Sequence, residues 1–163
     1  MAYRICFVCT GNICRSPMAE VVLRHEASVL GLADRLEVDS AGTAADVGFD
    51  IDRRAQRALE RRGYTPHRHR ARQFEASWFP ERELVVALDR GHMKRLRSSA
   101  PGPEYAERVR LLLSYPTDRA HTGGTLDVPD PYFGNDREFE SCLDLVQAGC
   151  TALMTALATE LAG

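Results

Sequence analysis

The sequence predicts an α/β fold built on a parallel sheet. Short β-rich apolar runs alternate with amphipathic segments along the chain, the pattern of strands joined by crossover helices. The strongest run, residues 84–88 (LVVAL), is apolar at every position, as suits a strand covered on both faces. Length adds the third constraint. A chain of 163 residues favours one domain, spanning residues 1–163, and a chain of this size buries roughly two thirds of its unfolded surface without needing disulfide staples.

Taken in order, residues 5–8 form a first, continuously apolar strand and residues 36–38 a brief second one. Residues 84–88 make the third strand and residues 109–113 the fourth. The first helix begins after Ser16 and ends near Gly31, with Met18, Val21, Val22 and Val29 on one face. Ser16 suits its N-cap, Pro17 its first helical position, and Glu20 complements its dipole. Residues 55–59 and 92–96 mark two further helices. In the last and longest, Phe139, Cys142, Leu143, Val146, Cys150, Leu153 and Leu157 recur mostly at three- and four-residue spacing, which makes Cys142 and Cys150 buried apolar thiols. Residues 114–135 are rich in Pro, Gly, Asp and Thr, a loop long enough to suggest function. Trp78, beside Phe79 and Pro80, is expected to pack between helix and strand.

Composition excludes several classes. A net charge of -2 argues against bulk binding of nucleic acid, and residues 67–72 (HRHRAR), with no interleaved aromatics, are expected to be a solvated turn. No segment reaches the roughly 18 uninterrupted apolar residues of a membrane span, and the N-terminus lacks the pattern of a signal peptide. A cytoplasmic location with reduced thiols follows as the expectation, export without a signal peptide staying open. Five irregularly spaced cysteines are not a disulfide framework.

Residues 9–16 (CTGNICRS) lie between the first strand and the first helix. A loop of this length can curl so that successive backbone N–H groups of Thr10, Gly11, Asn12, Ile13 and Cys14 converge on one anion. Gly11 suits a positive φ and Asn12 tolerates one. Arg15 offers a bidentate fork for two phosphoryl oxygens, and the same positive potential stabilises negative charge on the Cys9 sulfur. The loop thus combines an oxyanion site with a nucleophile. Cys6 and Cys9 also form a C-x-x-C, but Cys6 lies inside the strand, pointing away from the loop, and nothing completes a zinc site. Two readings of Cys14 stand: a reversible disulfide with Cys9 that protects it from over-oxidation, or a small residue packed under the loop.

A thiolate that attacks a phosphoryl group needs its alkoxide or phenolate leaving group protonated, so a carboxylic acid should face Cys9. Asp130, followed by Pro131, Tyr132, Phe133 and Gly134, fits: the proline stiffens the loop and the two aromatics can wall a slot for a flat ring. Asp127 is the nearby competitor.

Residues 8–20 (VCTGNICRSPMAE) with residues 130–140 (DPYFGNDREFE) resemble the low-molecular-weight protein tyrosine phosphatase family, and the likeness extends to residues 39–43, 69–73 and 87–89. The resemblance implies a single three-layer domain with a four-stranded parallel sheet flanked by helices, no metal and no cofactor. It implies a two-step reaction in which Cys9 takes the phosphoryl group, Arg15 and the loop amides hold its oxygens, and Asp130 acts as acid and then base. It also implies that the Ser16 hydroxyl assists the sulfur as leaving group and that Asn12, Ser40 and His69 support the loop. Tyrosine-phosphorylated proteins are the partners it implies, with the chain a monomer or weak dimer. Ile13 stands where phosphoarginine-directed relatives resemble one another in having threonine, which favours phosphotyrosine. Arsenate reductases of similar fold use further cysteines in mid-chain, and there is none here between Cys14 and Cys142. A non-catalytic phosphate-binding module would keep Arg15 but has no use for both Cys9 and Asp130. In one respect the chain departs from the family. Ala44, Ala45 and Asp46 occupy the place where many members carry a rim aromatic, with Phe49 the nearest aromatic, so a wider and more acidic mouth is expected.

Overall fold

The computed structural model describes residues 1–162. Strands β1 (Tyr3–Cys9), β2 (Leu36–Gly42), β3 (Leu84–Ala87) and β4 (Val109–Leu111) pair in parallel in the order β2-β1-β3-β4. They are joined by helices α1 (Arg15–Val29), α2 (Arg53–Arg61), α3 (Arg90–Ser99), the short α4 (Pro103–Ala106) and α5 (Arg119–Thr122), and α6 (Asp136–Leu161).

β1 runs through the middle of the sheet because nothing in it after Arg4 needs water: Ile5 to Cys9 are all buried. Its two-residue period divides the interior. Ile5, Phe7 and Cys9 join a core with α1, α2 and α6, whereas Cys6 and Val8 face Phe79, Leu96 and Val109 on the α3 side. The sheet is therefore covered on both faces, which explains the unbroken apolar runs. α6 is long and apolar enough by composition to cross a bilayer, but its stripe from Phe139 to Leu161 is packed into the core against α1 and α2. An Asn135–Glu138 capping box starts it.

This topology places the site. From β1 the chain goes to β2 on one side and later to β3 on the other, so the carboxyl ends of β1 and β3 flank a switch point. Parallel sheets leave a crevice there. The segment after Cys9 and the segment after Ala87 both run into it.

Some boundaries differ from expectation for identifiable reasons. β2 reaches Gly42 because Cys9 pairs with Gly42 in register. Its edge is covered by Arg24, whose side chain donates to the Val38 carbonyl. β4 stops at Leu111, where the Ser114 hydroxyl donates to the Leu111 carbonyl at 2.7 Å and turns the chain into a 3₁₀ turn. α1 begins two residues earlier than the Ser-Pro signal suggests. Cys14 is the N-cap and makes no side-chain cap bond, while Ser16 lies inside the first turn with its hydroxyl directed at Cys9. Glu20 is likewise not a dipole partner but a buried carboxylate, accepting from the Ser40 hydroxyl at 2.8 Å and paired with Arg24 and His67. The long loop is not bare: Asp118 caps α5, and Gly123, at φ 67°, ends it in the left-handed conformation.

Candidate active site

The loop from Cys9 to Arg15 is held from outside by its carbonyls. The oxygens of Cys9, Thr10 and Gly11 accept from the N–H groups of Thr43, Ala44 and Asp46 at 2.9, 3.0 and 3.0 Å. The Asn12 carbonyl accepts from His69 Nε2 at 2.6 Å, and that of Ile13 from the Asp52 N–H at 2.8 Å. In a trans peptide the N–H points opposite the C=O of the same plane. Five successive carbonyls drawn outward therefore turn the N–H groups of Thr10, Gly11, Asn12, Ile13 and Cys14 inward. Those from Gly11 to Cys14 have no protein acceptor among the described residues. That is an anion nest, continued by the free N–H groups that open α1.

Asn12 is what closes the curl. It is the one non-glycine residue with positive φ among those described, at 61°, and it is fully buried. Its side-chain Nδ2 donates to Ser16 Oγ at 2.8 Å and Ser40 Oγ at 2.9 Å, while its side-chain Oδ1 accepts from the Arg72 N–H at 2.9 Å. These bonds hold a conformation that costs a non-glycine residue about 1 kcal/mol or more. Gly11, expected to take positive φ, does not. Its missing Cβ matters instead because Asp46 Oδ2 lies 2.7 Å from where a Cβ would stand.

Cys9, Thr10, Gly11, Ile13, Cys14, Arg15, Ala44, Asp46, Asp130 and Tyr132 line one pocket of about 220 Å³. Cys9 Sγ is 2.9 Å from Ser16 Oγ, and Ser16 Oγ is also 3.3 Å from the Ala41 carbonyl. Arg15 is buried. Its Nη1 donates to Asp89 Oδ2 and to the Val128 carbonyl, both at 2.9 Å, which leaves Nη2 facing the pocket, 3.8 Å from Asp130 Oδ2. Asp130 is half exposed, with Oδ1 accepting from the Tyr132 N–H at 3.1 Å. The loop that carries it is tied down at both ends: the Val128 N–H donates to the Leu88 carbonyl, and Arg54 Nη1 donates to the Gly134 carbonyl.

The competitor Asp127 is committed elsewhere, in a two-pronged pair with Arg90 that holds its carboxyl below the ordinary range. Phe133 departs from expectation. Tyr132 lines the pocket, but Phe133 is 94% exposed, stands edge-on to Tyr132, and does not reach the pocket wall. A five-residue turn restrained by Pro131 can aim only one of two adjacent aromatics inward. The basic segment is only in part a solvated turn. His69 supports the loop, His67 pairs with Glu20 at 2.7 Å, and Arg72 pairs with Asp39 at 2.7 Å and stacks on Trp78, while Arg68 and Arg70 face solvent. Burial pushes the Cys14 thiol well up from its ordinary value, so it stays protonated. Cys6 and Cys150 are fully buried and pushed up in the same way, and burial takes Cys142 up to about 12.

Sequence reasoning missed Asp89, His92 and the Asp52–Arg54 pair, which bonds at 2.8 Å and links the Ile13 carbonyl to the Asp130 loop. Asp89 and His92 form a capping box at the start of α3, two residues ahead of the helix expected over residues 92–96, and nothing in the sequence marks Asp89 as a support for Arg15. Burial, with the Arg15 guanidinium adding to it, lowers His92 from 6.5 to about 4, while Asp89, Asp130 and Asp127 oppose the shift. His92 is therefore neutral at pH 7. A base whose folded value lies below its unfolded one contributes stability that is complete above pH 6.5 and is lost as pH falls toward 4. The urea midpoint should fall across that window, and it should fall less in His92→Asn; an equal fall in both proteins would contradict the assignment.

The chain matches the family model described as low molecular weight phosphotyrosine protein phosphatase over residues 4–162. It is 51% identical to a low molecular weight protein-tyrosine-phosphatase of Streptomyces coelicolor, across 100% of this chain and 98% of that one. It is 33% identical to the human low molecular weight phosphotyrosine protein phosphatase, across 92% of each. Among solved structures it resembles a protein tyrosine phosphatase of Entamoeba histolytica at a TM-score of 0.89 and 28% identity, covering 98% of this chain and 99% of that one.

Proposed function

The chain belongs to the low molecular weight phosphotyrosine protein phosphatase family, and from that premise we propose that it hydrolyses phosphotyrosine in proteins through a phosphoryl group carried on Cys9. The observation that carries the assignment of roles is that Cys9, Arg15 and Asp130 line a single pocket whose floor is the amide nest.

The phosphoryl oxygens rest in the nest and against Arg15 Nη2, whose other nitrogen is locked by Asp89 and Val128. The Cys9 thiolate attacks phosphorus in line and the bond to the phenolic oxygen breaks. Asp130 delivers its proton to that oxygen as it leaves. Water then enters where the phenol departed. Asp130 takes its proton, the S–P bond breaks, and phosphate leaves with Cys9 restored as thiolate. Ser16 carries one proton between two acceptors, the Ala41 carbonyl and Cys9 Sγ. Turned to the sulfur, it stabilises the thiolate both before attack and as a leaving group. Cys9 and Cys14 both line the pocket, and Cys14 is also packed into the core, so both readings of Cys14 keep support. Hydrolysis of p-nitrophenyl phosphate in EDTA tests the scheme: activity lost on chelation would sink it.

The mouth supports a preference among phosphoproteins. Asp46 lines the pocket, its N–H fixed on the Gly11 carbonyl, and its carboxylate has no cationic partner within ion-pair distance among the described residues. A lysine or arginine beside the phosphotyrosine supplies that partner. Exposed ion pairs of this kind contribute up to about 1 kcal/mol, so kcat/KM should rise about 2- to 5-fold for phosphopeptides with a flanking base. Asp46→Asn should abolish the difference. Wild-type indifference to flanking charge would refute this preference.

A further inference from the structure

We propose that His92 is a positioning residue that commits the Thr10 hydroxyl to donating its proton to the phosphoryl group held by Arg15. This rests on the reading of the Cys9 loop as the phosphate site.

His92 is 4% exposed, and its two ring nitrogens have different partners. Nδ1 receives the Asp89 N–H at 3.2 Å as part of the capping box; Asp89 Oδ1, also 3.2 Å from Nδ1, already accepts the His92 N–H at 2.9 Å, so the capping box assigns Nδ1 the lone pair. The charges and titratable groups facing the ring are Arg15, Asp89, Asp130 and Asp127, and burial with Arg15 keeps the ring neutral at pH 7. A neutral imidazole with an accepting Nδ1 carries its proton on Nε2. Nε2 lies 2.9 Å from Thr10 Oγ1 and 3.5 Å from Arg15 Nη2; the guanidinium can only donate, so the ring proton goes to the nearer Thr10 oxygen, with His92 donating and Thr10 accepting.

The second lone pair of the hydroxyl faces Arg15 Nη2 at 3.5 Å, also a donor. With donors on both lone pairs, the only role left to Thr10 Oγ1 is to give its own proton away, and it has no protein acceptor among the described residues apart from the His92 nitrogen. Thr10 is exposed on the pocket wall. An oxygen bound to Arg15 Nη2 at an ordinary distance of about 2.9 Å falls within reach of that proton. The phosphoryl group thus gains a side-chain donor beyond the amides and the guanidinium, one that would be lost if the histidine held the opposite tautomer and took the hydroxyl proton itself.

The asparagine and glutamine replacements of His92 separate its two tasks. His92→Asn keeps a group near Nδ1 that can cap α3 but loses the donor to Thr10. His92→Gln keeps a donor near Nε2. Hydrogen bonds to charged groups are strong enough that Thr10→Val should weaken inhibition by inorganic phosphate by about 10- to 100-fold, and Thr10→Ser should recover most of the loss. His92→Asn should weaken it similarly while remaining folded, His92→Gln should weaken it less, and His92→Asn should add little in the Thr10→Val background. Nitrogen NMR of the ring at pH 7 should show the proton on Nε2. Equal losses in His92→Asn and His92→Gln, a proton on Nδ1, or phosphate inhibition within 2-fold of wild type in Thr10→Val would each overturn the proposal. Turnover surviving in Cys9→Ser would instead overturn the reading on which it rests.

Discussion

Cys9→Ser is expected to lower turnover of p-nitrophenyl phosphate by about 10⁴-fold or more, with EDTA making no difference to the wild-type rate. A serine hydroxyl at this position would keep the contact to Ser16 but not the sulfur nucleophile that the reaction uses. Phosphate binding should survive, because the inward N–H groups and Arg15 are positioned by Thr43, Asp52, His69, Asp89 and Val128 rather than by the sulfur. The variant therefore separates nucleophile from cradle: kcat collapses while inhibition by inorganic phosphate stays. Substantial residual turnover would mean that water attacks the phosphate directly.

Asp130→Ala carries the second largest effect, and its signature is unevenness. For phenyl phosphate, whose leaving group needs protonation, the loss should be about 10² to 10⁴-fold. For p-nitrophenyl phosphate, formation of the intermediate should slow much less, because nitrophenolate departs without a proton. The neighbouring Asp127 cannot substitute, since Arg90 engages Oδ1 through its backbone N–H and Oδ2 through its guanidinium. Asp127→Asn should accordingly show no such dependence on the leaving group. Identical losses for both substrates in Asp130→Ala would remove Asp130 from the role of acid.

Much of this is legible in the sequence. The central strands β1 and β3 follow from apolar runs that two-sided burial requires, and α6 from a stripe at helical spacing that places Cys142 and Cys150 in the core. The loop of residues 9–16 was legible because a cysteine, an arginine six positions on and a helix start have a joint chemical meaning. What stayed hidden depends on pairs far apart in sequence. Asp89 and Val128, which lock Arg15, lie 74 and 113 residues from it, and nothing local marks them. The Ser-Pro start misled because Ser16 satisfies Cys9 and Asn12 across the loop rather than its own helix. Phe133 misled because composition names two aromatics but not which one a short turn directs inward. Asp46 was foreseen as acidity at the mouth, while its close approach to Gly11 needed the fold.

The central claim is that the phosphoryl group passes through Cys9. The most direct test mixes Asp130→Ala with excess p-nitrophenyl phosphate, stops the reaction within milliseconds in alkaline denaturant, and maps the protein by mass spectrometry. The scheme predicts a burst of nitrophenolate matched by one phosphoryl group on the peptide containing Cys9. A burst with no phosphoryl group on Cys9, or with the group on another residue, would contradict it.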